Sequence, residues 1–288
     1  MQDHLVRIVS KDGLLRGMAA VTTELVREIC ARQRTDLTAT VALGRLLTGG
    51  ALLGCLLKGK QRLALMVEGN GPLGRLSVET DAEGRVRGSI RNPHAGLPPK
   101  EGRFDVAGAV GRAGFLHVWK DLGLKEPYQS MVQLQSSEIA EDLAWYLTSS
   151  EQVPSSVALG VELDSSGAVA AAGGFLIQSL PPGDEEQVEQ LVARLQELPP
   201  TTSMLRQGLT PGEILKRLFA GTGFLVQAEV PLSFYCPCNQ RQIEGVLTAL
   251  GKEELLRLAE EQERVEVTCE YCRKIYYFAR ERVRALAS

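Results

Sequence analysis

Apolar and polar residues alternate at the start of the chain, as they do in strands with one buried face. Residues 4–10 and 14–21 follow this pattern and are separated by a turn signal, which predicts a pair of strands. A short helix capped by Thr22 or Thr23 is predicted to run through Ala31. The long apolar stretch 37–57 then predicts a buried helix, whose glycines and alanines suit close packing against a sheet.

Short strands dominate the next part of the chain. The predicted strands are 62–68, 74–80, 85–91, 104–110 and 114–120. A helix over 137–148 follows, and two further strands, 156–163 and 168–178, complete the segment. Their lengths and turns favour antiparallel hairpins. We therefore predict that residues 1–180 form one α+β domain of antiparallel strands with packed helices.

The sequence Pro181-Pro182-Gly183 marks a change from strands to helices. Residues 184–198 carry apolar side chains at helical spacing, and Thr210 begins a second short helix with a capping-box pattern. Such short helices cannot form a core of their own, so they must pack on a neighbour. We predict a helical linker over 181–231, followed by a small C-terminal domain over 232–288.

The composition is that of a soluble globular protein. Of 288 residues, 44% are hydrophobic and 23% are charged, and the net charge of −3 gives no electrostatic reason to expect a nucleic acid partner. The most apolar stretch carries Arg45 near its middle, which a bilayer disfavours, so we expect no membrane partner. The first residues lack the apolar segment of a secretory signal, and we expect a cytoplasmic protein. In that compartment, clustered cysteines indicate metal or redox chemistry.

Two glycine-rich segments resemble nucleotide-binding motifs but have the wrong context. Residues 54–61 approach a phosphate-binding loop, yet Gln61 stands where a hydroxyl should hold magnesium, and the segment ends a helix instead of beginning one. Residues 69–74 fit GxGxxG, but the residues after them alternate like a strand, so we interpret the segment as a tight turn. No carboxylate pair has a spacing that suggests acid–base catalysis. We predict that the protein is not an enzyme.

Four cysteines near the C-terminus form two close pairs, Cys236-Pro237-Cys238 and Cys269-Glu270-Tyr271-Cys272. Two such pairs can close a tetrahedron of thiolates, which is the usual ligand set of structural zinc. We predict that these four cysteines bind one Zn²⁺ per chain. The remaining cysteines, Cys30 and Cys55, lie among apolar residues of helical stretches, and we interpret them as small buried hydrophobes.

A zinc module of this kind is either purely structural or a switch. Structural zinc contributes roughly 10–16 kcal/mol to small domains, whereas a whole domain is stable by only about 5–15 kcal/mol. Oxidation of the thiolates removes the ligands, so it should unfold the module. Any element packed on the module, such as the helical segment 184–220, would lose its support and expose apolar surface.

The chain resembles the thirty-three-kilodalton heat shock protein family, the redox-regulated holdase chaperones. The likeness covers both cysteine pairs and four upstream segments, 69–74, 137–144, 150–155 and 172–178. The resemblance implies a reduced, zinc-bound and nearly inactive form, and an oxidised form without zinc. Its disulfides would be Cys236–Cys238 and Cys269–Cys272. It also implies that the oxidised protein dimerises and holds unfolding client proteins without ATP.

Two other functions fit parts of the sequence. The basic and aromatic tail 273–284 would suit a zinc ribbon that binds nucleic acid, although residues 232–288 carry nine basic and nine acidic side chains. A thiol–disulfide enzyme built on Cys269 and Cys272 would need a low-pKa thiolate at a helix N-terminus. Nothing in the sequence marks such a thiolate.

Overall fold

Within residues 2–100 and 102–287, which the computed structural model describes, the chain forms thirteen strands and ten helices. The strands are β1 (His4–Ser10), β2 (Leu15–Val21), β3 (Arg62–Gly69), β4 (Arg75–Asp81), β5 (Arg85–Ile90), β6 (Gly114–Asp121), β7 (Tyr128–Gln133), β8 (Ser155–Leu163), β9 (Val169–Ser179), β10 (Phe224–Pro231), β11 (Ser233–Phe234), β12 (Arg264–Thr268) and β13 (Ile275–Ala279). The helices are α1 (Thr23–Gln33), α2 (Leu37–Gly54), α3 (Val106–Val110), α4 (Ala140–Ser149), α5 (Glu185–Glu197), α6 (Thr201–Arg206), α7 (Pro211–Leu218), α8 (Gln240–Thr248), α9 (Lys252–Glu261) and α10 (Arg280–Leu286). Contacts divide the chain into two compact units, Met1–Phe234 and Tyr235–Ser288.

Two sheets form the frame of the first unit. One sheet has the strand order β10-β1-β2-β9-β8, and the other has the order β11-β5-β4-β3-β6-β7. Neighbouring strands are antiparallel, except that β11 runs parallel to β5. The predicted α+β fold with antiparallel strands is therefore confirmed.

The apolar helix α2 contacts strands of both sheets and lies in the main hydrophobic core. Its small residues permit this close approach. A Cβ atom added at Gly44 would lie 2.7 Å from Val161 in β8, and one added at Gly50 would lie 2.6 Å from Val78 in β4. Among the described residues, α2 is the one helix long and apolar enough to span a bilayer, but most of it is buried inside the protein. The prediction of a buried core helix is confirmed.

Two elements of the second sheet region differ from the sequence prediction. The predicted strand 104–110 is wrong, because Val106–Val110 forms helix α3, whose start is capped by Asp105 Oδ1 accepting a hydrogen bond from the Gly108 amide at 2.9 Å. In a short apolar run, periodicity does not distinguish a helix from a strand. The capping hydrogen bond of Asp105 therefore favours the helix here. Strand β7 was not predicted, since its polar sequence is held by pairing with β6.

Helices α5, α6 and α7 pack on the face of the five-stranded sheet that is opposite to α2. Alternate residues of β1, β2 and β9, such as Ile8 and Phe175, form a second core with Leu215 and Phe219. The neighbour that these helices need is therefore this sheet. Residues 224–231 also differ from the predicted helical linker, because they form β10, which pairs with β1 more than two hundred residues away in sequence.

The second unit contains helices α8, α9 and α10 and the hairpin of β12 and β13. Its core includes Ile243, Leu255, Val265, Phe278 and Val283. Arg282 of α10 donates two hydrogen bonds to Glu244 of α8, with N–O distances of 2.8 and 2.7 Å. A unit this short is marginal on its hydrophobic core alone, which makes any additional cross-link important for its stability.

Candidate metal centre

The first cysteine pair lies directly before helix α8. Asn239 is the N-cap of that helix, and its Oδ1 atom accepts a hydrogen bond from the Gln242 amide at 3.0 Å. Pro237 has a restricted φ angle between the two cysteines. The capped helix and the proline together limit the conformations open to Cys236 and Cys238.

The second cysteine pair lies in the tight turn between β12 and β13. The Cys269 amide donates to the Lys274 carbonyl at 2.9 Å, and the Arg273 amide donates to the Cys269 carbonyl at 3.0 Å. Arg273 closes the turn in a left-handed conformation with a φ of 60°. The turn brings the sulfurs of Cys269 and Cys272 to the same side as the first pair.

The four sulfur atoms of Cys236, Cys238, Cys269 and Cys272 all lie within 4.8 Å of one another. The Sγ atoms of Cys236 and Cys269 are 3.8 Å apart, and those of Cys238 and Cys272 are 3.3 Å apart. Tetrahedral zinc with Zn–S bonds of about 2.3 Å requires S–S distances of about 3.8 Å, so the cluster fits this ion. The described structure thus brings together all the predicted ligands in a set that can hold a metal ion, and four thiolates leave no open position for a substrate.

Without a metal, the thiols of the cluster differ in how readily they ionise. Burial raises the pKa of the Cys238 thiol, but hydrogen bonds from Tyr276 and from the other cysteines outweigh it and lower that pKa to about 7. The pKa of Cys272 is raised to about 12, mainly by burial. Cys238 therefore becomes a thiolate first, and the thiolate is the form that binds metals and reacts with oxidants. The sequence did not reveal this low-pKa thiol, because Tyr276 is distant from it along the chain.

Tyr276 contacts the cysteine cluster, and the sequence gives no sign of this contact. Its hydroxyl donates towards the Cys238 sulfur at 3.1 Å and towards the Cys238 carbonyl at 2.9 Å. The alternative of a zinc ribbon that binds nucleic acid requires the aromatic residues of the tail 273–284 to be exposed. In the structure, Tyr276 and Phe278 are buried in the core, while Tyr277 points outwards and stacks under Arg264. The alternation of β13 therefore removes two of the three aromatic rings from the surface.

The two remaining cysteines and the glycine-rich segment 69–74 agree with their sequence predictions. Cys30 and Cys55 are buried in the first unit, and burial raises the pKa of Cys30 to about 12 and that of Cys55 to about 11. Residues 69–74 connect β3 to β4, with the Gly74 amide donating to the Gly71 carbonyl at 3.1 Å. Since a strand follows this turn, it lacks the helix of a dinucleotide site. Neither glycine motif is part of the cysteine cluster.

The fold and the site together define a two-unit α+β protein with a four-cysteine, metal-capable module. A profile of the Hsp33 protein family matches residues 3–279, and the chain belongs to that family. It is 58% identical to the 33 kDa chaperonin of Syntrophotalea carbinolica, over 99% of each chain. It is 52% identical to the 33 kDa chaperonin of Geobacter sulfurreducens, over 99% of this chain and 94% of the relative.

A solved structure has the same fold. The crystal structure of the 33 kDa chaperonin, a heat shock protein 33 homologue, from Thermotoga maritima matches with a TM-score of 0.91 and 38% identity. The match covers 100% of this chain and 98% of that chain. Membership of this family supports a chaperone function, and the family resemblance seen in the sequence is confirmed.

Proposed function

We propose that the protein is a redox-regulated, ATP-independent holdase chaperone of the cytoplasm, inactive when reduced and activated by oxidation. The observation that carries the proposal is the cluster of four cysteine sulfurs within 4.8 Å of one another in a small unit. The names of the two relatives described above, both 33 kDa chaperonins, support the chaperone part of the proposal.

In the reduced protein, the proposed ligands of one Zn²⁺ are Cys236, Cys238, Cys269 and Cys272. The ion would supply a cross-link between the start of α8 and the β12–β13 turn, with no catalytic chemistry, since all four positions are protein sulfurs. Structural zinc contributes roughly 10–16 kcal/mol to small domains. For a unit with so small a core, this is enough to decide between the folded and unfolded states.

Oxidation would convert the four thiolates into two disulfides. Two molecules of hydrogen peroxide take four electrons from the sulfurs, two S–S bonds form, both O–O bonds break, and four protons from solvent complete four water molecules. The pairing proposed from the family resemblance is Cys236–Cys238 with Cys269–Cys272. The sulfur positions are also compatible with pairs across the cluster, since Cys238 and Cys272 are 3.3 Å apart. Either way, the sulfurs lose the charge that holds a dication.

Loss of the cross-link would then change the conformation of the predicted linker. We propose three functional segments, with residues 1–180 as the chaperone domain, 181–231 as the linker and 232–288 as the switch. Tyr235 alone separates β11 from Cys236 in sequence, so unfolding of the switch frees the chain next to β10 and β11. If α5–α7 then leave the sheet, residues such as Ile8 and Phe175 become available to unfolded client proteins. The same apolar surface would favour a homodimer of the oxidised form.

The test combines zinc release, thiol count and chaperone assay on the full chain. Peroxide with mild heating should release about one zinc per chain, remove four free thiols and create suppression of aggregation by light scattering, and thiol reductant should reverse all three changes. Cys269→Ser should lose zinc, whereas the matched control Cys55→Ala should behave as wild type. Equal chaperone activity before and after zinc release would contradict the switch.

A thiol–disulfide enzyme is the second candidate, because the pKa of Cys238 is about 7 and this residue precedes the N-cap of α8. An enzyme of this class would catalyse many turnovers of insulin reduction. We expect at most stoichiometric reduction of insulin. Each sulfur of the cluster lies close to the other three, so no position is left open for a substrate disulfide. Sustained insulin turnover would favour the enzyme.

A further inference from the structure

Tyr276 is inside the second unit because β13 alternates between buried and exposed residues. It lies opposite Val267 of β12 in the hairpin, and its side chain is 7% exposed. Tyr277, the next residue, points the other way and is 47% exposed. The buried ring therefore carries its hydroxyl to Cys238, and the fold holds it there from a separate strand.

A tyrosine hydroxyl has one proton to donate, and two acceptors of Cys238 lie within reach of it. They are the carbonyl oxygen at 2.9 Å and the sulfur at 3.1 Å. Hydrogen bonds to charged acceptors are shorter and about twice as strong as those between neutral groups. A metal-bound Cys238 sulfur carries negative charge and therefore competes well for this proton.

We propose that Tyr276 is a positioning residue that stabilises Cys238 as a metal-ligating thiolate and slows its oxidation. A hydrogen bond withdraws electron density from the sulfur lone pair, so the sulfur attacks peroxide more slowly. Partners that orient metal ligands in this way change metal affinity by about 10- to 100-fold when they are removed. This inference rests on the proposed function, because it requires zinc at the four cysteines.

Tyr276→Phe removes the hydroxyl and retains the ring, and Tyr277→Phe is the matched control on the same strand. In the full-length reduced protein, Tyr276→Phe should raise the zinc dissociation constant, measured by competition with a chelator, by about 10- to 100-fold. Peroxide should release zinc faster from this variant. With Co²⁺ in place of zinc, its sulfur-to-metal charge-transfer absorption should shift to longer wavelength. Tyr277→Phe should match wild type in all three measurements.

A third variant separates the hydrogen bond from packing. Val267→Ala loosens the cross-strand neighbour of Tyr276 without touching the hydroxyl, so it should lower thermal stability and leave the Co²⁺ absorption unchanged. Weaker zinc binding by Tyr276→Phe with an unshifted Co²⁺ spectrum would mean that the hydroxyl serves only the carbonyl, and would overturn the inference. Unchanged zinc affinity would overturn it too. Wild-type protein that takes up no zinc would instead contradict the proposed function itself.

Discussion

Gly17 of β2 lies directly beneath helix α7, and a single methyl group there should push the helix away from the sheet. A Cβ atom at Gly17 would lie 2.7 Å from Phe219 Cε2 and 3.0 Å from Leu215 Cδ2. Both neighbours are buried in the second core, so neither side chain has free space to move into. We predict that Gly17→Ala loosens the helices of the linker in the reduced, zinc-loaded protein.

The expected cost follows from overpacking of a filled core, which is about 1–3 kcal/mol. Replacing glycine by alanine also stabilises the folded state by about 0.5–1 kcal/mol, because glycine loses more backbone entropy on folding. The net destabilisation should therefore be about 0–2.5 kcal/mol, centred near 1 kcal/mol, and it should fall on the contact between α7 and the sheet. Limited proteolysis should cut the linker helices several-fold faster in Gly17→Ala, and the reduced variant should suppress aggregation without oxidant.

Gly212→Ala is the matched control, because a Cβ atom at this α7 position meets nothing within 4 Å. It should slow proteolysis slightly at most, since alanine is a better helix former than glycine but Gly212 lies in the first turn of α7. The reasoning would be refuted if Gly17→Ala were cut at the wild-type rate. It would also be refuted if faster cutting brought no activity in the reduced protein, since the helices would then not cover the client surface.

Three further predictions concern thiols and one helix cap. Native alkylation at pH 8 should leave Cys30 and Cys55 unmodified, since burial raises the pKa of both, and labelling of either before global unfolding would contradict their burial. In metal-free protein, at a temperature low enough for the unit to keep its native circular dichroism, alkylation of Cys238 should rise with a midpoint near pH 7, because its thiol is protonated and unreactive below its pKa of about 7. Peptide mass spectrometry at several pH values checks this, and a midpoint near pH 9 in the folded protein would refute it. Thr210→Ala removes the acceptor of the Glu213 amide and should cost α7 about 1 kcal/mol, seen as faster proteolysis of the linker, whereas an unchanged rate would mean that the cap does not limit opening.

Much of the fold was predictable, because local patterns of this sequence agree with the final structure. The helices that begin near Thr23, Leu37 and Thr210 have apolar stripes or caps within a few residues, and these signals act locally. The failures have two causes. Strands β7 and β10 are held by partners elsewhere in the chain, and the segment 104–110 is too short to show a period.

The same division applies to the candidate site. The spacing of Cys236, Cys238, Cys269 and Cys272 by itself predicted a metal-capable cluster, because two sulfurs only one or two residues apart in sequence can reach the same ion. The tertiary structure alone decided that Tyr276 faces Cys238, because the pairing of β12 with β13 sets which residues point inwards. It also decided that the linker helices rest on the five-stranded sheet. The apolar stripe of an amphipathic helix shows that the helix packs on an apolar surface. Which surface that is depends on the tertiary structure.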